Sequence, residues 1–216
     1  MKVFNFPQYS PEWWDIRKGI PTASCADCIV TPGKWEMSSQ ARGYACDLIG
    51  QHYDYNYGMN EEYVNAAMRN GTIMEPEARR FYEFQTGETV EQVGFCLSDC
   101  GRFGCSPDGL VGDDGGLELK HPTAKTQVEW LYTGLVPTKY LPQIHWSLIV
   151  TGRKWWDFMS YYPGLPSLLR RVDSNEQTEK LRTAMDCFHS LLTDIRQQVE
   201  QQEPMRPNVT PQESYF

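Results

Sequence analysis

Two carboxylates and an amine lie close together in the middle of the chain: Asp108 in Ser106-Pro107-Asp108, and Glu118 and Lys120 in Leu117-Glu118-Leu119-Lys120. The second stretch reads as a short strand. Side chains alternate between the faces of a strand, so Glu118 and Lys120 share one face while Leu117 and Leu119 pack on the other. Between the two stretches, Asp113-Asp114-Gly115-Gly116 has the chemistry of a hairpin turn. A hairpin closed there returns Asp108 to the side of Glu118. Two carboxylates with a lysine alongside suit a hard divalent cation and an amine close enough to handle a water. Magnesium takes about one or two protein carboxylates and completes its octahedron with water and phosphate oxygens. The competing reading is a solvated Glu118–Lys120 ion pair and an Asp108 that only shapes a turn.

A second constellation lies near the N-terminus. Ser10 is placed to cap a helix, with Pro11 at its first position, Glu12 in its first turn and Gly19 at its end. Trp13 and Ile16 face a core, with Arg17 close to that face. The segment Ile20–Ser24 then feeds another helix, with Thr22 or Ser24 as its cap. A helix start with free N–H groups, two hydroxyls and a nearby arginine suits a phosphate. Alternatively Thr22 and Ser24 only cap the helix and Arg17 pairs with an acid.

Other elements must position these groups. Ser38 caps a helix with Ala41, Tyr44, Ala45, Leu48 and Ile49 on its apolar face. Tyr53–Gly58 reads as an aromatic loop, either a surface cluster or a platform for stacking bases. A helical pattern follows from Glu61 to Phe84, interrupted by Gly71 and Pro76. A kink or restart is expected near Glu75, leaving that glutamate free to turn inward. Thr89–Cys96, Arg102–Ser106 and Trp155–Tyr162 read as strands, and Thr123–Leu131 and Tyr140–Val150 as helices. Ser174-x-x-Gln177 has the form of a capping box before a last helix striped by Leu181, Met185, Phe188, Leu192, Ile195 and Val199. The pattern predicts one domain over residues 1–202. The polar, proline-bearing tail 203–216 is expected to be disordered or packed on a neighbouring subunit.

Composition sets limits on function. The 216 residues carry 40% hydrophobic and 22% charged residues, enough for a core, and a formal charge of −8. That charge argues against a simple electrostatic nucleic-acid binder, though an enzyme with a positive channel inside an acidic exterior remains compatible with it. Seven cysteines, an odd number, are expected as thiols in a reducing cytoplasm. Cys25-x-x-Cys28 and the set Cys96, Cys100 and Cys105 are the candidates for zinc or an iron–sulfur cluster. No apolar run approaches the ~20 residues that cross a bilayer.

Five ordered motifs combine these pieces: Trp13-x3-Arg17-x-Gly19 with Thr22-Ala23-Ser24; Gly71-x3-Glu75-x2-Ala78-Arg79; Cys105-Ser106-Pro107-Asp108-Gly109; Leu117-Glu118-Leu119-Lys120; and Tyr140-x2-Gln143 before the aromatic strand. In this order the chain resembles phage lambda exonuclease and the wider YqaJ-type viral recombinase nucleases, of the PD-(D/E)xK nuclease fold. The resemblance implies an α/β (α+β) restriction-endonuclease-like core, with a central mixed β-sheet flanked by helices. It implies an Mg²⁺-dependent exodeoxyribonuclease that digests one strand of a duplex 5′ to 3′ and supplies single-stranded DNA to a single-strand annealing protein. By that resemblance Asp108, Glu118 and the Leu119 carbonyl hold Mg²⁺, with Glu75 supporting a second ion and Mn²⁺ as a substitute. Lys120 positions or deprotonates the attacking water and Gln143 orients it. Arg17, Ser24 and Ser106 hold a phosphate of the digested strand, and Met68 is a strand-separating wedge or an ordinary packing residue. The resemblance further implies a homotrimeric ring around duplex DNA ends, in a phage or prophage protein acting in the host cytoplasm.

The chain departs from the family pattern at His121, after the catalytic strand, and at His145, where the family repeats a glutamine. Both are expected to bear on pH optimum or metal preference. Two other functions compete: a DNA endonuclease on the same core, and a non-enzymatic DNA-end binding module.

Overall fold

A computed structural model of the chain describes residues 1–54, 57 and 66–202, without the side chains of 66–72. Its central sheet runs in the spatial order β2 (Val90–Glu91), β5 (Gly109–Val111), β6 (Gly115–Lys120), β7 (Trp155–Ser160) and β8 (Leu168–Asp173). β6 and β7 are parallel and the other neighbours antiparallel, so the sheet is mixed. A smaller antiparallel sheet joins β1 (Lys2–Phe4), β3 (Phe95–Leu97) and β4 (Gly104–Cys105). A parallel pair needs a crossover, which here contains α4 (Ala124–Thr133) and α5 (Leu141–Thr151).

β6 shows why the sheet divides the core. Leu117 and Leu119 pack with Ala78 and Tyr82 of α3 (Ala66–Thr86) and with Met159. In the larger core, Trp156 and Phe158 meet apolar residues of α2 (Ala41–Gly50), α5 and α6 (Glu176–Glu200). The alternation expected of Leu117–Lys120 therefore holds, and the face opposite the leucines carries Glu118.

The hairpin forms where expected, but its turn is Gly112–Asp114, with φ of +51° at Gly112. Gly115 and Gly116 belong to β6, where a Cβ would run into the rings of Trp155 and Trp156. Those two glycines are there for close packing across the parallel pair, not for the turn. Arg153 Nη1 closes the hairpin by donating to the carbonyls of Val111, Gly112 and Gly115 at 3.3, 2.6 and 2.7 Å.

Several expectations are corrected. α3 runs unbroken from Ala66 to Thr86 with Pro76 inside it, so there is no restart at Glu75. Proline forfeits a single backbone donor, and the buried Ala78 and Tyr82 keep the helix against the sheet. The stretch Thr89–Cys96 splits into β2 and β3, which pair in different sheets. The capping box opens one residue later, on Asn175, whose side chain accepts from Gln177 N while Thr178 Oγ1 accepts from Asn175 N. β1 and β8 had no counterpart in the sequence reading. Each lies at an edge, and β8 reads Leu-Leu-Arg-Arg-Val-Asp, without a clean apolar alternation. Residues 55–56, 58–65 and the tail from 203 lie outside the described residues, as does the side chain of Met68.

Candidate active site

The β5–β6 ladder pairs Gly109 with Leu117, and one step further along the same register sets Asp108 opposite Glu118. Asp108 Oδ2 accepts from the Leu119 amide at 2.6 Å. In a strand, the N–H and C=O of one residue point to the same side. The Leu119 carbonyl is therefore directed towards Asp108 as well, beyond the point where β5 has ended. Glu118 is 2% exposed, and its Oε1 receives both Lys120 Nζ at 2.5 Å and Gln143 Nε2 at 2.6 Å. Gln143 comes from the first turn of α5, so the crossover helix delivers it to the strand it crosses over from.

Asp108, Glu118, Lys120, Leu119, Gln143 and Glu75 line one cleft of about 460 Å³. Glu75 reaches it from α3 and is held by the Arg79 guanidinium, one turn on. Arg79 also donates from Nε and Nη2 to the Asp108 carbonyl at 3.3 and 3.2 Å. It therefore ties α3 to the hairpin. In the sequence, the one signal for this role of Arg79 is its spacing from Glu75, which is that of a helical ion pair.

The electrostatics favour a cation. Burial, then the charges of Glu118 and Glu75, push the Asp108 carboxyl well above its ordinary range. Burial likewise raises Glu75, against the pull of Arg79. Positive charge joining them would favour their ionised forms. Asp108 Oδ1 and Glu118 Oε2 accept no hydrogen bond among the described residues, so each acid keeps one oxygen for a ligand. No three His, Cys, Asp or Glu side chains form a ready-made cage among the described residues. Two carboxylate oxygens and a carbonyl, with water and phosphate completing the shell, fit Mg²⁺ better than zinc. Burial alone would lower Lys120, but Glu118 and Asp108 outweigh it and hold the amine above its ordinary value. In this arrangement both carboxylates favour the charged ammonium.

The second constellation closes the other end of the cleft. Arg17 donates from Nη1 to Ser106 Oγ at 2.9 Å, and from Nη2 to Thr22 Oγ1 at 3.2 Å and Ser24 Oγ at 3.4 Å. Its guanidinium lies 4.1 Å over the Trp13 ring, and Trp13 Nε1 donates to Ser106 Oγ and to the Gly94 carbonyl, both at 3.0 Å. Thr22 is the N-cap of the 3₁₀ segment Ala23–Cys28, yet its side chain makes no cap hydrogen bond. The hydroxyl serves Arg17 instead. Among the described residues no carboxylate pairs with Arg17, and burial lowers its pKa. A half-buried guanidinium among three hydroxyls suits an oxyanion.

The two departures from the family pattern differ. His121 lines the cleft, and burial followed by the charge of Lys120 lowers its pKa. His145 is fully buried away from the cleft, with Nδ1 hydrogen-bonded to Thr178 Oγ1 at 2.9 Å and its ring edge-on to Trp35. It fastens α5 to the start of α6. The cysteines are free, and the Cys25–Cys28 and Cys96–Cys105 pairs sit in separate places, on the 3₁₀ segment and across the β3–β4 ladder.

A mixed sheet whose central hairpin brings an Asp and a Glu-x-Lys to one cleft defines a protein of the PD-(D/E)xK nuclease class. The chain belongs to the YqaJ-like viral recombinase domain family, whose model matches residues 12–154. It is similar to an alkaline exonuclease from Laribacter hongkongensis at 33% identity, over 88% of this chain and 96% of that one, with a TM-score of 0.77. The same exonuclease in complex with dAMP matches at 33% identity over the same shares, with a TM-score of 0.76. A phage-related exonuclease from Haemophilus somnus shares the fold at 11% identity, over 83% of this chain and 96% of that one, with a TM-score of 0.61. No curated protein matches the chain. No described helix is long and apolar enough to cross a membrane.

Proposed function

We propose that this protein is a metal-dependent exodeoxyribonuclease that digests one strand of linear duplex DNA from a 5′-phosphorylated end, 5′ to 3′. The observation that carries this reading is the sharing of one cleft by two groups of residues. Arg17, Ser24 and Ser106 form an anion seat at one end, and Asp108, Glu118 and Lys120 form a hydrolytic centre at the other. A terminal phosphate fills the seat only when the strand has an end, which gives direction to the cutting. The relative solved with dAMP supports a nucleotide-sized occupant.

Asp108, Glu118 and the Leu119 carbonyl would hold Mg²⁺, with Glu75 available to a second ion once released from Arg79, and with Mn²⁺ as a substitute. When bound, the metal supplies an activated water and neutralises charge on the phosphate oxygens. The protein's own residues do the rest. Lys120 donates to the attacking water or the scissile phosphate. Gln143 fixes Glu118 through the same oxygen that takes Lys120, and Arg17 fixes the distance between strand end and scissile bond. A homotrimer closed around the duplex would keep the substrate engaged between cuts and let an exterior of net charge −8 coexist with a positive channel. The product, a 3′-ended single strand, suits a single-strand annealing protein as partner, in the cytoplasm of a phage-infected or lysogenic host.

The test is incubation with Mg²⁺ of 5′-phosphorylated linear duplex and covalently closed circular duplex. Mononucleotide release from the linear DNA alone is expected. Nicking of the closed circle would instead assign an endonuclease, and binding of ends without released mononucleotide would assign an end-binding module. Mass in solution tests the trimer.

A further inference from the structure

Lys120 lies at the last position of β6, where the ladder to β5 has already ended, and among the described residues its flexible side chain makes one direct ion pair, with Glu118, while Asp108 acts on it at longer range. That partner is shared, because the same Oε1 also takes Gln143. Glu118 is in addition the carboxylate proposed above for metal binding. A cation drawn to Glu118 competes with Lys120 for it, so the ion pair alone is a poor way to keep the amine in register during turnover.

A second, uncharged holder is present. Lys120 Nζ lies 5.0 Å from the centroid of the Tyr140 ring, which Lys139 Nζ also approaches at 4.8 Å. A ring face attracts an ammonium through its quadrupole, and it neither competes for a metal nor adds a negative charge to an already acidic cleft. The ring is itself fixed. It stacks on Phe158, with centroids 5.6 Å apart and planes at 29°, and meets Trp130 edge-on at 5.7 Å. Phe158 is fully buried in β7, directly beside Glu118 in the parallel register. Tyr140 also immediately precedes α5, three residues before Gln143. The start of one helix therefore grips the catalytic strand twice, through Gln143 on Glu118 and through Tyr140 on Lys120.

We propose that Tyr140 is a positioning residue for hydrolysis, acting through its ring face to hold the Lys120 ammonium when Glu118 is engaged elsewhere. The inference rests on the hydrolytic reading of the cleft. What the reaction needs from Tyr140 is the π face and its stack, not the hydroxyl.

The experiment is a double-mutant cycle on Mg²⁺-dependent cleavage of 5′-phosphorylated linear duplex. Tyr140→Leu is expected to lower kcat by about 3- to 30-fold, the range of a partly desolvated cation–π contact, with KM unchanged. Tyr140→Phe, which keeps ring and stack, is expected to stay within about twofold of wild type in kcat. Lys120→Ala with Tyr140→Leu is expected to lose no more single-turnover activity than Lys120→Ala alone, since the tyrosine acts only through the lysine. Thermal midpoints of all variants separate folding losses from these effects. Full kcat in Tyr140→Leu would overturn the proposal. So would a Tyr140→Phe as impaired as Tyr140→Leu, a rise in KM at constant kcat, or a double variant losing the product of the single losses. A wild-type protein that cleaves nothing would instead remove the underlying reading, so the two failures are distinguishable.

Discussion

Between neutral pH and about pH 4, His145→Gln is expected to lose less folding stability than the wild-type chain. The imidazole is fully buried, with Nδ1 on Thr178 and Nε2 without a hydrogen-bond partner among the described residues, so the folded protein solvates an imidazolium poorly. Burial pushes its pKa down from 6.5 to about 4, against a weaker opposing pull from Gln177. The unfolded chain takes up its proton as pH falls through 6.5, whereas the folded chain does not until about 4. Stability from this group is therefore complete above 6.5, drains away as pH falls to about 4, and is then flat. At ~1.4 kcal/mol per pH unit, the gap amounts to roughly 3 kcal/mol, a large share of a typical folding free energy. Glutamine cannot titrate and can still reach Thr178. The assay is urea unfolding of both proteins, metal-free, at pH 7 and at pH 4.5. Asp108 and Glu75, whose carboxyls burial raises, act in the opposite direction on acidification, so only the difference between the two proteins isolates His145. If both proteins lose stability in parallel over that interval, the buried neutral imidazole is not the cause and the reasoning fails.

The other predictions concern the cleft and its hairpin. Arg17→Ala should reduce the preference for 5′-phosphorylated over 5′-hydroxyl ends by about 10- to 100-fold, the worth of a charge-assisted hydrogen bond; equal loss on both ends would assign Arg17 to folding. Lys120→Ala should cut single-turnover cleavage by about 10²- to 10⁴-fold while end binding in a filter or anisotropy assay stays intact, and wild-type turnover would remove the proposed role. Arg153→Ala breaks three hydrogen bonds to hairpin carbonyls, and should destabilise the protein by about 2 kcal/mol in denaturant unfolding. It should also lower activity, because the same hairpin sets Asp108 opposite Glu118. An unchanged midpoint would show that the β5–β6 register holds without it.

Strand β6 was legible because a period of two is written into four residues: with Leu117 and Leu119 committed to a core, Glu118 and Lys120 had one remaining direction. The helix on Ser10 and Pro11 was legible for the same kind of reason, since an N-cap and a first-turn proline act on the nearest backbone groups. Local chemistry failed where the partner was distant. Gly115 and Gly116 look like turn residues and are instead flattened for two tryptophans some forty positions on. Thr22 looks like a cap and gives its hydroxyl to Arg17. Pro76 looks like a break, yet burial of the helix around it keeps α3 whole.

Residue types and their order along the chain thus determined the chemistry on offer: a hard-cation pair of acids, a nearby amine, and an arginine with hydroxyls suited to phosphate. Tertiary structure alone decided which groups meet. It placed Arg79 on both Glu75 and the Asp108 backbone, Tyr140 against Lys120, and His145 away from the cleft in a purely structural contact. The physical reason is range. Alternation, capping and turn preferences act over a few residues, whereas the charge felt by a buried group depends on neighbours that only a parallel crossover and a packed helix bring within a few ångströms.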